Sequence, residues 1–169
     1  MIINRIVKLG VREIIKRSKH NVDISPSAKK KRTLNGHEFS SDLEFRYYKY
    51  LLDLQEQGIV KNIELQPKYI LQEKYKRKSD GKSILAIYYI SDFRITYSDD
   101  SVKVVDTKGD PDNMAVLKRK IFEKLYPDVD FHWIAYSKQD SDIGWIEYDL
   151  LKKLRSARKK AKDKLKIDK

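Results

Sequence analysis

The chain contains no cysteine. Disulfide bridges, thiolate nucleophiles and zinc–thiolate sites are therefore excluded. Its three histidines, His20, His37 and His132, are scattered and share no metal-ligand spacing. No apolar run approaches the roughly 20 residues of a membrane span. Arg5, Lys8, Arg12 and Lys16 interrupt what would otherwise be the apolar centre of an export signal. The expectation is a cytoplasmic protein with no membrane partner. Prolines number only four and glycines six, so each marks a place where the chain turns or an element stops.

Positive charge is present in excess, but unevenly. The net charge is +12 over 169 residues. Residues 1–34 carry a net +8, residues 152–169 another +8, and the middle of the chain a net −4. Two basic arms around a mildly acidic core point to a polyanionic partner, with nucleic acid ahead of an anionic membrane surface. Lys29, Lys30, Lys31 and Arg32 in the first arm are candidate backbone contacts, as are Lys152, Lys153, Arg155, Arg158 and Lys159 in the second.

Ile3, Ile6, Val7, Val11, Ile14 and Ile15 recur at helical spacing, and the polar stretch 21–32 reads as a linker. A second helix begins near Ser40 or Ser41 and stops at Gly58. Residues 63–71 and 84–90 read as strands separated by a basic turn, Lys76 to Lys82, and Pro67 marks an edge or a bulge. Asp110 and Pro111 read as the N-cap and first position of a further helix with Met114, Leu117, Ile121 and Leu125 as its apolar stripe. A strand follows over 130–136, then a basic helix from about Tyr148.

The chemistry concentrates in one predicted hairpin. Residues 93–97 and 102–104 alternate apolar and polar around the turn Ser98-Asp99-Asp100-Ser101. Closing it sets Asp92 opposite Asp106, to within one residue of register. Opposed carboxylates about 5 Å apart repel by about 3 kcal/mol at an effective dielectric near about 20. A divalent cation offsets that repulsion, and hard oxygen donors suit Mg²⁺ or Mn²⁺. Two-residue periodicity puts Lys108 on the face of Asp106. Taken blandly, Asp106 and Lys108 form an exposed ion pair and Asp92 ends a strand. Two carboxylates and a lysine on one face are also the equipment of a metal-dependent phosphodiesterase. Glu44 is open between two roles: Ser41-x-x-Glu44 fits a capping box, and a third acid of the site has the same side chain. Lys118 and Arg119, on the helix after the hairpin, are candidate phosphate contacts.

These residues resemble the PD-(D/E)xK, or restriction-endonuclease-like, nuclease superfamily over residues 36–136. Asp92 is similar to its first aspartate, Asp106-Thr107-Lys108 to its (D/E)xK, and Glu44 to its helix glutamate; Ser91 stands where the motif has proline. A closer likeness is to small phage-encoded nucleases within that superfamily. It rests on Gly36-His37-Glu38-Phe39-Ser40-Ser41-Asp42-Leu43-Glu44, Leu65-Gln66-Pro67-Lys68-Tyr69, Ser91-Asp92-Phe93 and Asp106-Thr107-Lys108-Gly109.

The resemblance implies an α/β core ordered helix, three strands, helix, strand: a mixed sheet flanked by helices, with basic helical extensions at both ends. The expected division is a basic helix and linker over 1–34, a nuclease core over 35–147 and a basic helix over 148–169. The implied activity is Mg²⁺- or Mn²⁺-dependent endonucleolytic cutting of DNA, with branched or recombining DNA as a candidate substrate. Asp92, Asp106, the Thr107 carbonyl and Glu44 would hold the metal. Lys108 would act on water or phosphate, and Gln66 joins as a second-tier site residue. Related enzymes often pair to cut two strands, so a homodimer is an expected arrangement, and a phage origin in a bacterial host is implied. Two rivals stand beside this reading. One is a sequence-specific restriction-like, homing or transposase-associated endonuclease. The other is a basic nucleic-acid-binding protein that keeps the fold without cutting.

Overall fold

The computed structural model describes residues 22–167. The helix expected over residues 2–17 lies outside the described residues. The chain divides into two compact units, Met1–Phe45 and Arg46–Lys169.

In the first unit the supposed linker is structured. Helix α1 (Pro26–Lys31) opens at Ser25, whose hydroxyl accepts from the Ala28 N–H at 3.3 Å, with Pro26 in the first turn. Ser-Pro is a helix start even where the following turn is all polar. Strands β1 (Thr33–Leu34) and β2 (His37–Glu38) then pair through the two-residue turn Asn35-Gly36, both at positive φ. Asn-Gly is a strong hairpin signal. Helix α2 (Asp42–Glu56) begins in this unit and continues into the second.

The second unit is α/β, built on a mixed five-stranded sheet. Its strands are β3 (Val60–Leu65), β8 (Phe93–Tyr97), β9 (Val102–Thr107), β10 (Phe131–Tyr136) and β11 (Trp145–Glu147), in the spatial order β11-β10-β9-β8-β3. All neighbours are antiparallel except β9 and β10. The parallel pair needs a crossover, which helix α3 (Asn113–Leu125) supplies. The predicted strands 63–71 and 84–90 are each broken. Between β3 and β8 on one side and β4 (Lys68–Gln72) and β7 (Ile87–Ile90) on the other, the ribbon leaves the sheet at Gln66-Pro67 and Ser91-Asp92. Gln66 takes a positive φ of 52° there, which lets the strand turn. Beyond this, β5 (Tyr75–Lys76) pairs with β6 (Ser83–Ile84) and closes a long two-stranded arm.

Alternation along β10 sorts the helices. Tyr136 on one face meets Trp145 edge to face, and Trp145 also meets Tyr47 of α2. Phe131, Trp133 and Ala135 on the other face meet Phe122 of α3 and helix α4 (Tyr148–Ile167). The sheet is therefore covered on both sides, and Phe93, Ile95, Val104 and Val105 are buried at its centre. Gly144 has φ +82°, and a Cβ there would lie 2.4 Å from the Tyr136 ring, so only glycine fits the β10–β11 turn.

Two expectations for α3 need correction. Its N-cap is Asp112, which accepts from the Ala115 N–H at 2.8 Å, and not Asp110. Both aspartates can cap, and the helix starts two residues further from the sheet. Met114, Leu117, Ile121 and Leu125 face solvent, while Phe122 is fully buried among Tyr69, Tyr89, Tyr126 and Phe131. One aromatic side chain buries more surface than the aliphatic stripe and decides the helix's rotation.

Candidate active site

The β8–β9 register pairs Phe93 with Val105 and Arg94 with Val104, which continues to Asp92 opposite Asp106. In β9–β10, Asp106 pairs with Trp133. Residues in register on neighbouring strands share a face, so Asp106 lies on the side of the sheet covered by α3.

Asp106 is only 3% exposed. One carboxylate oxygen accepts from Lys108 Nζ at 2.7 Å and the other from the Tyr89 hydroxyl. Tyr89 in turn accepts from Trp133 Nε1 at 2.8 Å. The relay thus ties β7, β9 and β10 together at the ends of the central strands. Burial pushes the Tyr89 phenol well above its ordinary pKa. The charge and hydrogen bond of Asp106 add to the shift, Trp133 opposes it, and the charge of Asp92 contributes last. Tyr89 is therefore a permanent O–H donor near neutral pH, and both carboxylates act on it.

Asp92 is engaged by the next residue of β9. Its Oδ2 accepts from the Thr107 N–H at 2.7 Å and from Thr107 Oγ1 at 2.6 Å. Both acids therefore converge on the dipeptide Asp106-Thr107. Gln66 supports the site through its backbone, donating its N–H to the Asp92 carbonyl at 2.9 Å, with its side chain exposed. The N–H of Ser91 donates to the Pro67 carbonyl at 3.2 Å. A proline at 91 would lose that bond, which accounts for serine where the motif has proline.

A cleft of about 190 Å³ opens here, lined by Tyr88, Tyr89, Ile90, Asp106, Lys108 and Lys118. Lys118 is held over it by a 3.0 Å bond to the Tyr88 carbonyl. A larger hollow of about 350 Å³ at the far end of the hairpin is lined by Ile59, Tyr97, Ser98, Asp99, Ser101 and Lys103. Its Asp99 is taken up by Ser101, whose hydroxyl and N–H hold the Asp99 pKa below its usual value.

The structure thus gathers Asp92, Asp106, Thr107, Lys108 and Lys118, and adds Tyr89 and Trp133, which sequence reasoning missed. Their signal was available only through register: Trp133 in the parallel partner strand, Tyr89 in the ribbon. Arg119 is differently employed. It lies 4.5 Å over the Trp133 ring and pairs with Glu123 at 2.7 Å and Asp149 at 2.9 Å. Burial opposes its charge, but the bonds to Glu123 and Asp149 outweigh that and keep its pKa high. Glu44, in the first unit, accepts from the Ser40 N–H at 2.9 Å and from the Ser40 hydroxyl, while its own N–H donates to Ser41 Oγ at 3.1 Å. That is a capping arrangement shifted by one residue from the reciprocal box.

The donor set suits a hard cation of low protein coordination. Among the described residues no three acidic or histidine side chains form a ready cage. Mg²⁺ takes one or two carboxylates, keeps several waters and completes its shell with substrate phosphate, and Asp92 and Asp106 are the two carboxylates that could hold it here.

A family model described as Protein of unknown function (DUF1064) matches residues 25–142. The chain belongs to this family. No curated protein and no solved structure matches it. The span matched to DUF1064 takes in every residue of the cleft and the whole β-ribbon, and stops before β11 and α4.

The basic arms therefore divide. Arg32 is buried in the first unit, donating to the carbonyls of Phe39 at 3.3 Å and Asp23 at 2.8 Å, and Lys29 pairs with Glu38 at 2.9 Å. Lys30 and Lys31 are exposed. Beyond the DUF1064 span, Arg158 grips Asp140 with two nitrogens. Arg158 and then Ser137 hold the Asp140 pKa down. Lys152, Lys153, Arg155 and Lys159 point to solvent. No helix among the described residues is long and apolar enough to cross a membrane.

Proposed function

We propose that this DUF1064 chain is a metal-dependent endonuclease of the restriction-endonuclease-like type, hydrolysing phosphodiester bonds in DNA. One observation carries the reading: a buried Asp106 with Lys108 on its carboxylate, beside Asp92, at the ends of adjoining central strands and facing a cleft. Asp92 and Asp106 would hold Mg²⁺ or Mn²⁺, with the Thr107 carbonyl adjacent. Bound there, the ion would acidify a water and neutralise charge on the phosphate under attack. Tyr89 and Thr107 fix the two carboxylates by hydrogen bonds, which keeps them oriented before substrate arrives. Lys108 brings an ammonium to the same edge, where it holds the attacking water or a non-bridging oxygen. Lys118 supplies a second cation across the cleft. Phosphate contacts of this kind position a backbone without reading its sequence.

A second reading has its own support. Each oxygen of Asp106 already has a donor, and no three-acid group occurs among the described residues. A binding protein without cutting activity is consistent with that.

The test is cleavage of plasmid, single-stranded and four-way-junction DNA in Mg²⁺ and in Mn²⁺. Asp106→Asn keeps an acceptor for Tyr89, so the fold survives, yet cutting should fall at least about a hundredfold, as when a single preorganised charge-stabilising group is lost. DNA affinity should hold or rise, because a negative charge is gone. Equal behaviour of wild type and variant in both metals would leave only the binding reading.

A further inference from the structure

Only the base of the two-stranded arm from Lys68 to Ile90 belongs to the site, through Tyr88, Tyr89 and Ile90. One of its faces is packed: Tyr69 and Tyr89 meet Phe122, and Tyr126 donates its hydroxyl to the Ile70 carbonyl at 3.0 Å. Its other face is open, with Ile70 38%, Tyr88 42% and Ile90 50% exposed. Tyr88 and Ile90 also line the cleft. The open face of the β4–β7 pair therefore begins at the cleft, and beyond the irregularity between Ile70 and Gln72 the arm continues as β5 and β6.

The arm ends in cations. Residues 73–82 contain Lys74, Lys76, Arg77, Lys78 and Lys82 against Glu73 and Asp80, a net +3 inside a central region whose net charge is −4. All ten of these residues are exposed. The tip is nevertheless well formed. Arg77 and Lys82 are joined through backbone at 2.9 Å, Gly81 takes φ +68°, and Asp80 accepts from the Lys82 N–H at 3.1 Å. Among the described residues only Arg77 of the five cations has an ion-pair partner, Asp80 at 3.2 Å. Four exposed lysines on and beside this turn have no ion-pair partner among the described residues and are open to an anion from outside.

We propose that this arm is a nucleic-acid clamp. It lays its open face along duplex DNA that leaves the cleft and sets Lys74, Lys76, Lys78 and Lys82 on the phosphates. The proposal deepens the nuclease reading and rests on it for the identity of the polyanion. From Lys68 to Lys76 the ribbon extends at most about 26 Å at about 3.3 Å per residue, which spans about eight base pairs at 3.4 Å each. The exposed Tyr88, Ile90 and Ile70 offer apolar contact to sugars on the way. A second copy of the chain is the other occupant the apolar face could take. Charge decides against it, because two tips of net +3 repel where a phosphate backbone attracts.

The experiment uses the full chain with Lys74, Lys76, Lys78 and Lys82 replaced together by alanine, and a companion in which all four become arginine. Binding to a 30-base-pair duplex is followed by fluorescence anisotropy over a salt series without divalent metal, and cutting is assayed separately. Each phosphate contact contributes about 0.9 to the slope of log affinity against log salt, so losing four should flatten the slope by about 3.6. Its affinity near physiological salt should drop at least tenfold, with its melting temperature unchanged and the arginine variant close to wild type. If wild type binds and the alanine variant matches it in affinity and slope, the clamp is wrong and the nuclease reading stands. Self-association that rises in the alanine variant in light scattering would then assign the arm's open face to a second copy. If wild type binds without cutting and the alanine variant loses affinity, the clamp stands and the nuclease reading falls. If wild type binds no DNA, both fall.

Discussion

Glu44 and Asp106 are the two most deeply buried carboxylates described, 2% and 3% exposed, and the protein satisfies them in opposite ways. The partners of Glu44 come from its own helix start, the N–H and hydroxyl of Ser40. Those of Asp106 come from elsewhere in the fold: Tyr89, seventeen positions away, with Trp133 behind it, and the ammonium of Lys108. A local cap stabilises a helix end and asks nothing of the rest of the chain. A carboxylate held from three strands, with a cation on one oxygen and a cleft beside it, is positioned by the whole sheet. Each buried ion costs several kcal/mol before its partners compensate. Charge retained at that cost beside an opening is where chemistry is expected.

The largest break in this contrast comes from removing the long-range partner. Tyr89→Phe takes the donor from Asp106 and leaves the buried Trp133 N–H without an acceptor, which costs about 1–3 kcal/mol of stability in denaturant unfolding. Groups that orient a metal-binding carboxylate are worth about 10–100-fold in metal affinity or activity. The Mg²⁺ concentration for half-maximal cutting should rise by that factor. An unchanged metal requirement would mean that Tyr89 serves only packing. The same residue gives a pH test. Its folded pKa lies above the unfolded value of about 10, so the folded state holds its proton more tightly. The resulting stabilisation is complete below about pH 10 and lost as the pH rises above it. Tyr89→Phe should therefore lose less stability than wild type between pH 9 and 11.5. Part of the slope should remain, since Tyr47, Tyr69, Tyr97 and Tyr148 are also shifted upward, chiefly by burial.

Glu44→Gln sharpens the contrast from the other side. An amide oxygen can still accept from the Ser40 N–H and hydroxyl, though more weakly than a carboxylate. The helix dipole favours the charge by only about 0.3–1 kcal/mol, little against the cost of burying it. Capping alone therefore does not require a carboxylate, and the nuclease proposal would add a second role for it. The expected outcome is a loss of stability of about 1–3 kcal/mol and, if Glu44 serves the site as well, cutting reduced tenfold or more. Cutting within twofold of wild type would make Glu44 a cap and nothing else.

How far these features could be read in advance depends on how local their causes are. The β8–β9 register followed from alternation and a four-residue turn, and α2 ended at Gly58, φ +73°, because a left-handed stop is written in a single residue. The rotation of α3 could not be read that way. Its aliphatic spacing is regular, and only the tertiary aromatic cluster around Phe122 turns that stripe outward. Tyr89 and Trp133 were hidden for the same reason, since their link to Asp106 exists only once three strands are in register. Charge was legible as composition but not as use. Arg32, Arg119 and Arg158 are committed inside the protein, while the lysines at the arm's tip are not, because guanidinium suits fixed two-pronged pairing and ammonium does not.

Ser91 supplies the smallest effect and the third member of the comparison. It is fully buried next to Asp92, yet its hydroxyl has no partner among the described residues. An unsatisfied buried hydroxyl costs about 1–3 kcal/mol, so Ser91→Ala should raise stability by about 1 kcal/mol. Ser91→Pro, which would restore the proline of the motif, should lower stability by about as much, because the bond from its N–H to the Pro67 carbonyl is lost. The pair separates the side chain from the backbone at one position, and urea unfolding reads both. If alanine destabilises instead, the hydroxyl is bonded, through a buried water for example. Ser91 would then join Tyr89 and Thr107 among the groups that hold the carboxylates in place.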